Sequence, residues 1–86
     1  MSRNTLGRQL IDWIRTHAPE GADVGSDQGI AAMLGTSRQW ITRIRNGGAA
    51  PTVERIGEYL DKLQKDHGFP SAAVLYAEGR SVIFNR

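Results

Sequence analysis

The 86-residue chain contains no cysteine, which excludes a disulfide framework and any thiolate metal site. That absence fits a reducing cytoplasm, the expected location. No run approaches the roughly 18 apolar residues of a membrane span, and the opening MSRNTLGRQL lacks the apolar core of a signal peptide. A soluble, intracellular chain without membrane contact is expected. His17 and His67 are its two histidines, and neither has a second histidine or a carboxylate at ligand spacing, so neither suits a metal site or a general base. The glycine-rich Asn46-Gly47-Gly48 lacks the lysine and hydroxyl residue of a phosphate-binding loop, and no GxGxxG occurs. With no catalytic constellation, the sequence predicts a non-enzyme that needs no cofactor and no metal.

Net charge is only +2, so the distribution of charge says more than its sum. Between Arg38 and Asn46 stand three arginines and no acid, whereas Glu54 to Asp66 mixes both signs. Positive charge is thus concentrated on one short segment, where it would attract phosphate.

That segment lies within Ser26 to Pro51, which reads as two short helices joined by a tight turn. Ile30, Ala31, Leu34, Ile41 and Ile44 fit a buried seam, with Ala31 small where two backbones approach. Gly35 falls where a helix must end in a left-handed residue. Ser37 then caps the next helix, expected over about 37–45, whose outward residues are Arg38, Gln39, Thr42 and Arg43. Arginine forks match guanine O6 and N7, glutamine matches adenine N6 and N7, and Thr42 suits a thymine methyl or a phosphate. Trp40 has two readings: packing under the amino-terminal helix, or lying against a sugar and phosphate.

Elsewhere the pattern predicts a first helix from about Thr5 to Thr16, capped by Asn4 or Thr5, with Leu6, Leu10, Trp13 and Ile14 inward. Pro19, Gly21 and Gly25 break it, leaving a long connection that Val24 would have to anchor. Ser26 or Asp27 caps the second helix. Pro51 and Thr52 start a last helix to about Asp66, with a stripe of Val53, Ile56, Leu60 and Leu63 and with Gly57 or Tyr59 beside it. Glu58 with Lys62 and Asp61 with Lys65 stand at ion-pair spacing. His67-Gly68-Phe69-Pro70 ends it. From Ala72 the period changes, and AVLYA, EGR and SVIFN read as two strands around a turn.

The run Ile30-Ala31, Leu34-Gly35, Ser37, Ile41, Ile44, Asn46-Gly47, Pro51-Thr52, Ile56, Leu60 and Leu63 resembles the Cro/C1-type helix-turn-helix repressors of phages and plasmids, over roughly residues 5 to 64. Short length and a C-terminal tail are similar to small plasmid repressors of the Kor type. The resemblance implies a mainly α fold: a lambda-repressor-like helix-turn-helix domain of four or five helices over 1–67, with a short β-hairpin or β-strand tail over 68–86. It also implies a sequence-specific repressor of double-stranded DNA, binding as a homodimer to an inverted-repeat operator. Backbone phosphates would be held by Ser26, Gln28, Ser37, Trp40, Asn46, Gly48 and the neighbouring Gly47 amide. Two residues depart from the family pattern. Asp27 stands where many members carry a glutamine that contacts phosphate and braces the reading helix, so either Gln28 takes that role or Asp27 is only a cap. Arg45 stands where an acid is common, and is expected as an added phosphate contact.

A hairpin is marginal alone, so Val74, Leu75, Tyr76, Val82, Ile83 and Phe84 must bury a face. Apolar residues occur on both sides, and the expectation is a dimer formed through this tail rather than a tail that merely folds back. The alternative from another class is an antitoxin-like interaction module whose tail binds a second regulatory protein.

Overall fold

The computed structural model describes residues 6–85. Four helices, α1 (Leu6–His17), α2 (Asp27–Leu34), α3 (Arg38–Arg45) and α4 (Val53–His67), are followed by an antiparallel hairpin of β1 (Ala72–Ala77) and β2 (Arg80–Asn85). The fold is mainly α. Caps expected at Asn4 or Thr5 lie outside the described residues.

Local chemistry explains the helix limits. Ser26, Ser37 and Thr52 adopt extended backbone, and their side-chain oxygens accept from the amides of Gly29, Trp40 and Arg55 at 3.1 Å each. Each satisfies an early amide that the helix cannot. Ser26, not Asp27, is therefore the cap of α2. Gly35 closes α2 at φ 71°, ψ 33°, a left-handed geometry in which a Cβ would be strained, and the Thr36 amide donates back to Ala31 at 3.0 Å. Three residues thus suffice to reverse the chain into α3.

The core gathers one face from each helix: Leu10, Ile11, Trp13 and Ile14 from α1, Ile30, Ala31, Met33 and Leu34 from α2, Ile41 and Ile44 from α3, and Ile56, Tyr59, Leu60 and Leu63 from α4. Two expected stripe residues differ. Val53 is exposed, because as the first residue of α4 it precedes the turn that meets the core, and Leu6 is only half-buried at the start of α1. Gly7 sets the approach of α1 to α3: a Cβ there would stand 2.5 Å from Ile44 Cγ2 and 3.1 Å from Pro51 Cδ. Val24 packs partly buried on the core and ties down the connection between α1 and α2. On the surface of α4 the ion pairs are Lys62–Asp66 at 3.2 Å and Arg55–Glu58 at 4.0 Å, rather than the expected pairs. Exposed pairs of this kind contribute little.

The hairpin lies across α1 and α4. Phe69 and Ala72 enter the core, and Trp13 stacks on Phe69 with ring centroids 5.7 Å apart. Trp13 Nε1 donates to Asn85 Oδ1 at 2.7 Å, and Gln9 Nε2 donates to the Ser81 carbonyl at 3.1 Å. Pairing Val74 with Ile83 and Leu75 with Val82 gives the sheet two faces. Val74 and Ile83 pack against the chain's own core, so these two expected interface residues are occupied within the subunit. Leu75 and Phe84 face out, 51% and 43% exposed, with Val82 between them and Tyr76 exposed near the turn.

The hairpin turn is Glu78-Gly79, both at positive φ (54° and 80°). Such a two-residue turn favours asparagine first, and a glutamate pays a left-handed penalty there. Glu78→Asn should therefore stabilise the domain by about 1 kcal/mol and raise the unfolding midpoint by about 4–8 °C. Calorimetry on the two proteins checks this, and an unchanged midpoint would mean that the turn is not strained.

Candidate nucleic-acid interface

Helix α3 has one buried and one exposed side. Ile41 and Ile44 are fully buried and fix its rotation. Arg38, Gln39 and Arg43 then face solvent, and among the described residues no hydrogen bond or ion pair engages their side chains. Two cations and one amide consequently share an exposed row, free to meet a ligand.

The remaining expected contacts divide. Ser26 and Ser37 are exposed, and because capping uses each oxygen as an acceptor, each hydroxyl hydrogen remains to donate. Gln28 is exposed in the first turn of α2, and Asn46 is exposed at the end of α3. Gly48 is different. Its amide donates to the Arg43 carbonyl at 2.8 Å, and the Gly47 amide donates to Ile44 at 3.1 Å. The end of α3 has its own orphan carbonyls to satisfy, and these two amides are used on them rather than left for phosphate.

Trp40 is half-buried against the core. Its indole Nε1 donates to the Tyr59 hydroxyl at 3.0 Å, which ties it to α4. Together they border an open groove of about 380 Å³ whose other walls are Thr36, Ala50, Pro51, Thr52 and Arg55. A polar tip makes tryptophan suited to a half-buried site with one defined partner.

The largest departure concerns Asp27, Thr42 and Arg45. One carboxylate accepts from Thr42 Oγ1 at 2.7 Å, from Arg45 Nε at 3.1 Å and from Arg45 Nη2 at 2.9 Å. Asp27 is neither a cap nor a free anion: it joins the first turn of α2 to the last turns of α3. Its side chain is 14% exposed and that of Arg45 40%. The Thr42 hydroxyl hydrogen and one edge of the Arg45 guanidinium are thereby committed within the chain, which takes the hydroxyl away from phosphate and engages the cation expected there; the Thr42 methyl, the group suited to thymine, takes no part in these bonds. Sequence gives a weak cue to this. Eighteen positions separate Asp27 from Arg45, and only the fold brings them together.

Asp27 is held below the ordinary carboxyl value by the hydrogen bond from Arg45 first and that from Thr42 second; partial burial opposes them, while the charges of Arg45 and, more weakly, Arg15 add to the lowering. A depressed folded value means that the stabilisation is complete above the unfolded carboxyl value, about 3.9, and is lost as pH falls through the folded value. Asp27→Asn should thus be less stable than the parent from neutral pH down to about 5, with the difference closing below about pH 4. Urea unfolding across that range tests it, and a gap that stayed constant with pH would remove the carboxylate's charge from the account. Comparison of the chain with protein-family models, with curated proteins and with solved structures gives no match, so these residue placements rest on the chain's own geometry.

Proposed function

We propose that the chain is a sequence-specific regulator of double-stranded DNA, in which α2 and α3 form a helix-turn-helix and α3 enters the major groove. The observation that carries this reading is the exposed, uncommitted row of Arg38, Gln39 and Arg43 on a short helix anchored by Ile41 and Ile44. Forked donors and an amide are the groups that read base edges, and a rigid support is what gives such reading its discrimination. The resemblance of Ile30 to Leu63 to Cro/C1-type repressors supports the same reading.

On this reading Arg38, Gln39 and Arg43 contact bases, while Ser26, Gln28, Ser37 and Asn46 fix register on the backbone. Two half-sites about 34 Å apart are needed for useful discrimination, so the protein acts as a homodimer on an inverted repeat. Leu75, Val82 and Phe84 on the outer face of the hairpin supply the interface; Tyr76, exposed near the turn, lies by register on the opposite face, that of Val74 and Ile83. Repression follows from occupying promoter DNA.

Selection of bound duplexes from a random pool tests the reading directly. Recovered sites should be inverted repeats; absence of any enriched sequence would sink it. Gln39→Ala should then cost about 1–3 kcal/mol on the selected site and relax one position in each half-site. Equal losses on selected and random DNA would instead put Gln39 on phosphate.

The dimer has its own test, since Leu75 and Phe84 are exposed and can be changed without opening the core. Leu75→Lys combined with Phe84→Lys should give a folded monomer that retains weak sequence-independent binding and has lost most operator affinity. Sedimentation equilibrium decides: a dimer of undiminished stability would move the interface elsewhere, and copurification with a second protein would favour the antitoxin-like alternative.

A further inference from the structure

We infer that Asp27 is an internal counter-ion that withholds Arg45 from nucleic acid, so that the exposed cations of α3 reduce to Arg38 and Arg43. The inference rests on the DNA-binding reading above and deepens it by assigning a specificity role to a residue that touches no base.

The geometry is that of a closed pair. Arg45 presents Nε and Nη2 side-on to the two oxygens of one carboxylate, at 3.1 and 2.9 Å. Its other terminal nitrogen, Nη1, faces Asn46 Oδ1 at 3.4 Å. Planar two-point contacts of this kind are stronger than single ones and hold the guanidinium in one orientation. To turn that edge onto a phosphate, Arg45 would have to abandon both bonds and leave a largely shielded carboxylate with only the Thr42 hydroxyl. Asp27 itself favours remaining ionised, because it occupies the first turn of α2, at the positive end of the helix.

The pair also solves a problem at the surface. An uncompensated carboxylate beside Thr42 would stand next to the base-reading row and repel the DNA backbone. An unattached Arg45 would do the reverse, adding attraction that is identical for every sequence. Joined, they contribute almost no net charge to the face. Since phosphate attraction carries no sequence information, keeping it low widens the gap between operator and random DNA. Asp27 is thus a positioning residue that acts through Arg45.

The test is the salt dependence of binding to a random-sequence duplex, measured for the parent, Asp27→Asn, and Asp27→Asn with Arg45→Gln. The double variant has the same formal charge as the parent. Freeing Arg45 in Asp27→Asn should steepen the slope of log K against log salt by about 0.9, the increment for one added phosphate contact, and tighten random binding more than operator binding. The double variant should return to the parental slope. An unchanged slope in Asp27→Asn overturns the inference, and so does a double variant shallower than the parent by about 0.9, which would show Arg45 already on phosphate.

A second measurement needs no variant. In the parent, the Arg45 Nε–H resonance should stay in place as duplex is added while that of Arg43 shifts, and movement of the Arg45 signal overturns the inference. Failure of the function reading looks different: no α3 resonance moves and no duplex binds even at low salt. Heparin, a polyanion without bases, then takes the place of DNA in the same comparison of three proteins. The order expected is the same, steeper in Asp27→Asn and parental in the double variant, and binding to neither polyanion overturns both readings.

Discussion

Helix α3 is eight residues long, shorter than a helix that persists alone in water, and everything on its exposed side depends on how the rest of the chain holds it. Ile41 and Ile44 are the means. Each is fully buried, an effect of roughly 1.5–3 kcal/mol per side chain, which exceeds any propensity difference within α3. Because the two are three positions apart, their burial fixes both the position and the rotation of the helix. Gly7 allows α1 to come close enough to cover Ile44, and the short turn at Gly35 brings α2 alongside. The direction in which Arg38, Gln39 and Arg43 point is therefore a property of the core.

Polar contacts then remove the freedom that burial leaves. Trp40 bonds to Tyr59 of α4 on one flank, and Thr42 and Arg45 bond to Asp27 of α2 on the other. Side chains flanking the buried stripe on both sides are tied to different helices, so rolling α3 in either direction breaks a hydrogen bond. Three residues that look like ligand-binding groups in isolation instead hold the helix that carries the free ones. Polar groups near a core gain most when every partner is matched, and no buried polar side-chain atom among the described residues is left without one.

What is legible in the sequence follows the range of each interaction. Ser26, Ser37, Thr52 and Gly35 can be read because capping is settled within a few neighbouring residues. The seam from Ile30 to Ile44 is readable because helical periodicity is local as well. Ile11 escapes such a reading because the core wraps farther around α1 than the stripe through Leu10 and Ile14 suggests. Asp27 with Arg45, Trp40 with Tyr59, and Trp13 with Asn85 are contacts between distant segments, and no spacing rule announces them. Gly48 fails for another reason: a glycine amide after a helix reads equally as a donor for phosphate or as a donor for the helix's own last carbonyls, and here the carbonyls take it.

The hairpin shows how the same residue types acquire different duties from register alone. A shift of one residue between β1 and β2 would exchange the two faces, so the contacts at the ends of β2 matter. Gln9 holds Ser81 and Trp13 holds Asn85, both through α1, and between them they seat β2 with Ile83 inward. That choice commits Val74 to the core by pairing and leaves Leu75 and Phe84 outside. A two-stranded sheet with one face on the domain is stable enough to persist, and its other face remains apolar and uncovered. The surface on which the proposed dimer depends is thus created by the same α1 residues that finish the core, and α1 in turn covers Ile44 beneath α3. On the proposed function, assembly and recognition share one support, and a substitution that loosens α1 should weaken both together.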